Sequence, residues 1–324
     1  MNKTAKLSKK VWRRSKMAKE NVAVIIPCYN EGIAIAKVVD DFKQIIPEAK
    51  IYVYDNNSTD NTVEEAKKAG AIVRHESYQG KGNVIRRMFA DIDADVYVMS
   101  DGDETYDIKR TPDLIKELLD NNLDMVVGAR KEVDLAAYRV GHRWGNVLLT
   151  RLVQSFFHHK LVDMLSGFRV FSKRFVKTFP SQSWGFEIET ELTVYALSSR
   201  IPMKEIDTDY FARPEGSVSK LSTYKDGLRI LLMIVTLIKE ERPLLFFSVF
   251  GLAFMLLSLI CGIPVIENYL ETGLVPRMPT TVLATGLMIC SVVSMLVGFV
   301  LDSVAKSRKE VRRMSYLQYN PVNE

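Results

Sequence analysis

Val96-Tyr97-Val98-Met99-Ser100-Asp101-Gly102-Asp103-Glu104 is the stretch whose reading decides the fold. Four apolar, β-prone residues without a polar break read as a short strand buried on both faces, as in the middle of a parallel sheet. The acids begin where the apolar run stops. Two carboxylates one residue apart at a strand end can face the same hard cation, and the glycine between them tolerates the tight backbone this needs. Taken alone, an Asp-x-Asp is as well explained by a solvated turn; following a buried strand, it points to a site.

Similar apolar runs cover 22–26, 51–54, 71–73 and 125–127, and helical patterns cover 34–46, 62–69, 83–91 and 109–121. This β-α-β rhythm predicts an α/β fold, an open, mostly parallel, Rossmann-like sheet with ligands at the carboxyl ends of its strands. Those ends are polar. The first strand runs into Pro27-Cys28-Tyr29-Asn30-Glu31-Gly32 and the second into Asp55-Asn56-Asn57-Ser58-Thr59-Asp60. No G-x-G-x-x-G follows a strand and no G-x-x-x-x-G-K-[ST] is present, so a dinucleotide fold and a P-loop are excluded. Gly80-Lys81-Gly82 is a glycine-flanked lysine that a turn would equally explain.

At 324 residues, 47% hydrophobic and 26% charged, the chain has ample material for a core and is not a disordered polymer. Its three cysteines and four histidines show no paired spacing, which argues against a disulfide scaffold or a zinc module. Residues 1–20 hold eight Lys or Arg against the single acid Glu20, more than the whole net charge of +5. A basic tail on a near-neutral body suits an anionic membrane surface and disfavours nucleic acid as a partner; a merely solubilising tail is the plainer alternative.

Residues 243–266 and 279–301 are uncharged runs of 24 and 23 residues, each long enough to span a bilayer as a helix. Lys239 and Arg242 precede the first, and Lys306, Arg308, Lys309, Arg312 and Arg313 follow the second, whereas the link between them has only Arg277. The positive-inside bias therefore predicts both termini and the soluble body on the cytoplasmic side, which also fits reduced cysteines. The apolar stretch 230–238 is too short to cross and reads as an interfacial helix. The expected organisation is a basic tail (1–20), a soluble α/β domain (21–223), a juxtamembrane amphipathic helix (224–242), a two-helix hairpin (243–304) and a basic tail (305–324).

PCYNEG at 27–32, DNNSTDNT at 55–62, GKG at 80–82, DGD at 101–103, GAR at 128–130, SGFRVFSKR at 166–174 and RPEGSVSKL at 213–221 occur in this order. Together they resemble the polyprenyl-phosphate glycosyltransferases, relatives of dolichol-phosphate mannose synthase within glycosyltransferase family 2, over about residues 21–221; the hairpin matches members with two C-terminal spans. The resemblance implies a GT-A fold and inverting transfer of one sugar from a nucleotide-diphosphate sugar to undecaprenyl or dolichyl phosphate, with Mg²⁺ or Mn²⁺ as cofactor. UDP-glucose or UDP-N-acetylglucosamine is the favoured donor and GDP-mannose the runner-up. A homo-oligomer is among the assemblies this architecture admits.

The same resemblance assigns Pro27, Tyr29, Glu31, Asp55, Lys81, Asp101, Gly102 and Asp103 to the nucleotide-sugar, with Asp101 and Asp103 on the metal. Arg130, Ser166, Arg169, Ser219 and Lys220 fall on acceptor-phosphate segments, and Arg139 or Arg143 supplies a second phosphate arginine. Arg130, Asp103 and Asp163 form the catalytic set, with Asp163 either a base or an orienter. Where many relatives read D-A-D-L-Q, this chain has Asp101-Gly102-Asp103-Glu104-Thr105, so the usual Gln has no counterpart. His158-His159 reads as ordinary helix surface. A processive polysaccharide synthase would share the fold, but two spans make a poor channel and Trp12, Trp144 and Trp184 complete no Gln-x-x-Arg-Trp pattern. An inactive nucleotide-sugar-binding scaffold would have no need of Asp101, Asp103, Arg130 and Lys220 together.

Overall fold

A computed structural model of the chain describes residues 20–132, 151, 153–154, 161–214, 216 and 223–322. Five strands appear where the apolar runs predict them: β1 (Val22–Cys28), β2 (Lys50–Asp55), β3 (Ile72–His75), β4 (Val96–Met99) and β5 (Met125–Glu132). Two more follow, β6 (Arg169–Ser172) and β7 (Met203–Tyr210), and the sheet order is β3-β2-β1-β4-β6-β5-β7. β6 alone is antiparallel to its neighbours β4 and β5.

Alternate residues of each central strand feed opposite cores, as the period of two requires. Val24, Ile26, Val96, Val98, Val126 and Val170 pack with α1 (Ile35–Ile45), α2 (Thr62–Lys68) and α4 (Thr111–Asp120). Ala23, Ile25, Tyr97, Met99, Val127 and Phe171 pack with α3 (Lys81–Asp91), α5 (Lys173–Thr178) and α6 (Ile188–Ser198). The α1 helix shows why such segments are helical: Ile35, Val38, Val39 and Phe42 recur at the helical spacing and are all buried. A short 3₁₀ turn at Ile108–Arg110, capped by the Asp107 carboxylate, leads into α4.

The chain divides into two compact units. One runs to Met233 and takes in the chain from Met314; the other is Ile234–Arg313. Three long helices follow the sheet: α7 (Thr223–Glu241), α8 (Pro243–Thr272) and α9 (Met278–Tyr316). Both α8 and α9 are long and apolar enough to cross a membrane, and protein covers little of either. Within the second unit, Ser258 Oγ donates to the Ala284 carbonyl at 2.8 Å, and a Cβ on Gly251 would lie 3.0 Å from Met295. Small residues thus set the helix separation. The basic residues after the second apolar run are not a separate tail from 305 as expected. They continue α9, because Lys, Arg and Glu are good helix formers, and Arg308, Lys309 and Arg312 pair there with Glu240 and Glu241 of α7.

In the first unit, Asp124 is buried at the start of β5 and collects four donors: Ser172 Oγ at 2.7 Å, Arg174 Nε at 3.1 Å and Nη2 at 2.8 Å, and Tyr316 Oη at 2.5 Å. The Arg174 guanidinium also lies 4.2 Å from the Tyr316 ring centroid. Breaking such a buried pair strands a charge, whereas replacing both partners by apolar groups is far cheaper. Asp124→Ala should therefore lose about 3–5 kcal/mol in urea unfolding of the full chain, and Asp124→Leu combined with Arg174→Met should lose clearly less.

Candidate active site

The carboxyl end of β4 is the centre of the site. Asp103 is buried; its Oδ1 accepts the Thr105 hydroxyl at 2.6 Å and its Oδ2 meets Arg213 Nη2 at 2.5 Å. Burial, followed by the neighbouring Asp101 charge, pushes the Asp103 carboxyl above its ordinary pKa, against the pull of Arg213. Asp101 pairs at 2.5 Å with Lys81 Nζ, the first residue of α3, and the same ammonium reaches Glu189 Oε1 in α6 at 2.6 Å. Burial alone would lower the pKa of Lys81, but the two carboxylates outweigh it and hold the ammonium above the ordinary lysine value. Lys81 is therefore a fixed cation at neutral pH.

The glycines around these carboxylates are there for space. Gly102 does not take the tight backbone expected of it; among the described residues of this turn the left-handed conformation falls to Glu104, at φ 61°. A Cβ on Gly102 would instead stand 2.8 Å from Cys28 Sγ, because the turn lies against the end of β1. Gly167 is placed similarly: a Cβ there would be 2.8 Å from Asp101 Oδ2 and 3.1 Å from Lys81 Nζ. Gly80, with φ 129°, does need glycine conformationally, and it turns the chain into α3 so that Lys81 arrives at its first turn.

The polar ends of β1 and β2 mostly knit loops to one another. The backbone N–H groups of Asn30, Glu31 and Gly32 donate to Ser58 Oγ, Thr62 Oγ1 and Asp60 Oδ2 at 2.9, 2.8 and 3.0 Å. Asn56 holds the 76–80 segment, donating to the Glu76 and Tyr78 carbonyls and accepting from Gly80 N–H. Asp55 accepts from Ser58 N–H at 3.2 Å and lies 3.1 Å from His75 Nδ1. Of the expected nucleotide residues here, Pro27 is half-buried, Glu31 and Asp55 are buried, and Tyr29 is exposed. Cys28 is buried, and burial together with the surrounding acids raises its thiol far above the ordinary pKa, so it is a packing residue.

On the β5 side, Arg130 and Asp163 form a bidentate pair, Nε to Oδ2 at 2.6 Å and Nη2 to Oδ1 at 2.8 Å, and the guanidinium stands 5.4 Å from the Tyr210 ring centroid. Both Asp163 carboxylate oxygens are thus engaged by Arg130. Two expected acceptor residues differ from expectation. Arg169 is wholly buried and donates to the carbonyls of Ser166, Met164 and Glu189 and to Thr193 Oγ1, at 2.6–3.1 Å. It braces the segment before β6 against α6. Ser166 is also buried and donates to the Gly128 carbonyl at 2.6 Å. Arg139, Arg143, Ser219 and Lys220, with His158-His159, lie outside the described residues.

Two residues join the site that sequence reading passed over. Arg213 heads the RPEG stretch, and only that position hinted at it. Glu189 gave no usable signal, since Glu187-Ile188-Glu189-Thr190-Glu191 looks like a solvated helix start, yet Glu189, Thr190 and Glu191 are all buried. Among the described residues no third His, Cys, Asp or Glu joins Asp101 and Asp103 to complete a protein-only metal cage.

Residues 23–179 match the model of glycosyl transferase family 2. Protein RfbJ of Shigella flexneri is 60% identical over 124 residues, which are 38% of this chain and 96% of that protein. Glycosyltransferase AglJ of Haloferax volcanii is 33% identical over 234 residues, 72% of this chain and 77% of the relative. Dolichyl-phosphate hexose transferase of the same organism is 26% identical over 224 residues, 69% and 96% respectively. Among solved structures, glucosyl-3-phosphoglycerate synthase from Mycobacterium tuberculosis, in complex with Mn²⁺, UDP-glucose and phosphoglyceric acid, superposes with a TM-score of 0.56 at 18% identity, covering 69% of this chain and 82% of that one. That likeness is one of fold, a mostly parallel sheet of the GT-A kind. With the Asp101-Gly102-Asp103 turn at the end of its central strand, the chain is a glycosyltransferase and belongs to glycosyl transferase family 2.

Proposed function

We propose that this enzyme transfers one sugar from a nucleotide-diphosphate sugar to a polyprenyl phosphate at the cytoplasmic leaflet of a membrane. The observation that carries the reading is the cluster at the end of β4: two carboxylates and two fixed cations, in a chain that also has two helices of spanning length. The relative named dolichyl-phosphate hexose transferase supports the acceptor class. The positive flanks of the apolar runs support the cytoplasmic side.

Asp101 and Asp103 fit a Mg²⁺ or Mn²⁺ ion. Such an ion takes oxygen ligands, commonly one or two carboxylates completed by water and substrate phosphate, and its charge would offset the burial and the Asp101 repulsion that together raise Asp103. When bound, the ion supplies Lewis-acid stabilisation of the leaving nucleoside diphosphate. Lys81 and Arg213 face the same diphosphate from the two sides of the motif. Pro27, Tyr29, Glu31 and Asp55 form the nucleoside side. One oxygen of the acceptor phosphate bonds to the anomeric carbon as that carbon's bond to the diphosphate oxygen breaks, with inversion. The attacking phosphate is already anionic at neutral pH, so positioning and charge neutralisation do most of the catalysis.

Arg130 is the acceptor-side cation. Its pairing with Asp163 cancels its long-range attraction, so its contribution is a short-range, directed hydrogen bond. UDP-glucose and UDP-N-acetylglucosamine remain the favoured donors and GDP-mannose the runner-up. Single transfer is favoured over processive synthesis because two spanning helices do not enclose a channel, and over an inactive scaffold because the charged cluster is intact.

Membranes containing the protein and undecaprenyl phosphate, incubated in turn with radiolabelled UDP-glucose, UDP-N-acetylglucosamine and GDP-mannose, should yield organic-phase counts with one donor, abolished by Asp103→Asn. Counts that stay in the aqueous phase with every donor would overturn the reading. Arg130→Ala should lower transfer by roughly 100-fold, about 2.7 kcal/mol of transition-state stabilisation, with donor affinity by calorimetry nearly unchanged. Asp163→Asn, which leaves Arg130 charged but less firmly held, should fall between wild type and Arg130→Ala.

A further inference from the structure

Each carboxylate of the metal motif is joined through a cation to a second carboxylate. Asp101 meets Lys81 at 2.5 Å and Lys81 meets Glu189 at 2.6 Å; Asp103 meets Arg213 at 2.5 Å and Arg213 lies 3.9 Å from Glu31. Side-chain exposure is 11% for Lys81, 5% for Glu189 and 4% for Asp103, and 26% and 28% for the half-buried Asp101 and Arg213. Gly167 leaves no slack around the first pair, since a Cβ there would press on both the Asp101 carboxylate and the ammonium. Arg213 Nη1 is buried and has no hydrogen-bond partner among the described residues; the carboxylate oxygen paired with it, Glu31 Oε1, is 3.9 Å away.

We propose that Lys81 and Arg213 are the resident counter-cations of the Asp101-Gly102-Asp103 motif, and that they turn onto the donor's diphosphate when it binds, so that divalent cation and nucleotide bind cooperatively. The inference rests on the assignment of Asp101 and Asp103 to the metal. A divalent ion approaching alone must displace or sit beside two positive charges already on its ligands, and like charges at that range repel. A diphosphate offers the ammonium and guanidinium oxygens of equal or greater charge, and charge-assisted hydrogen bonds to phosphate are among the strong ones. Once the cations lean toward the diphosphate, the carboxylates are released for the metal. Glu189 is a positioning residue. It keeps the buried ammonium compensated while Lys81 leaves Asp101, and without it Lys81 would rest more firmly on Asp101. By reciprocity the metal must tighten nucleotide binding by the same factor as the nucleotide tightens metal binding.

Calorimetry on the full-length protein in detergent micelles tests this with Mn²⁺ alone, and with Mn²⁺ in the presence of saturating UDP and, separately, GDP. In wild type the accepted nucleotide should tighten Mn²⁺ at least 10-fold. In Lys81→Gln and in Arg213→Gln, Mn²⁺ alone should bind several-fold tighter than in wild type, and the enhancement by nucleotide should shrink toward none. Glu189→Gln should do the reverse, weakening Mn²⁺ alone. Because Lys81→Gln leaves Glu189 without its cation, Lys81→Gln/Glu189→Gln is measured beside it and should also bind Mn²⁺ more tightly. Unchanged or weaker binding of Mn²⁺ alone in Lys81→Gln, Arg213→Gln and the double variant overturns the inference. Asp103→Asn separates this from the parent reading: if it binds Mn²⁺ as wild type does in the presence of both nucleotides, the metal assignment itself fails; if it loses that binding while the cation variants gain nothing, only the counter-cation role fails.

Discussion

Two carboxylates held together at the end of a strand, Asp103 buried and Asp101 half-buried, must be compensated, and that requirement organises much of what surrounds the end of β4. An unpaired buried charge would cost several kcal/mol, more than a marginally stable domain can spare. Lys81 meets the demand from the first turn of α3, Arg213 from the segment that follows β7, and Thr105 by a hydroxyl. The backbone then makes room. Gly80 turns the chain so that α3 starts with the lysine, Gly102 lets the acidic turn lie against β1, and Gly167 clears the space beside Asp101. On the proposed reading, structural compensation and donor chemistry draw on the same side chains.

The sheet core was legible because it obeys the simplest rule. Val96-Tyr97-Val98-Met99 and its neighbours are uninterrupted apolar runs, which only a strand covered on both faces makes sense of, and the turn at Asp101 follows where such a strand must end. β6 and β7 were not legible for opposite reasons. Arg169-Val170-Phe171-Ser172 begins with an arginine that sequence reading sends toward a ligand, and its antiparallel course depends on pairing with both β4 and β5, which no local pattern encodes. Met203–Tyr210 is mostly polar, Lys204-Glu205 and Asp207-Thr208-Asp209 being separated only by Ile206, and is held as a strand by its parallel register with β5.

The site was readable where chemistry is concentrated in sequence and unreadable where it depends on burial. Asp101, Asp103, Lys81 and Arg130 stand in short polar stretches beside strand ends. Glu189 sits in a helix whose acids look solvent-facing, and only the packing of α6 over β6 buries it beside Lys81. Arg169 fails in the other direction: an arginine in a polar stretch turns out to spend its hydrogen bonds on backbone carbonyls. The basic run after the second apolar segment was likewise legible as charge but not as structure, since its pairing with Glu240 and Glu241 depends on α7 and α9 meeting in the second unit.

On the proposed reading, the end of β4 is a diphosphate and cation site whose own cations change partners when the donor binds. An experimental structure of the full-length protein with Mn²⁺ and its nucleoside diphosphate tests it most directly. The expected result is a cation held by Asp101 and Asp103, with Lys81 Nζ moved from Asp101 to a phosphate oxygen while still within reach of Glu189. A nucleotide bound with the Lys81–Asp101 pair intact, or a cation held by other residues, would contradict it.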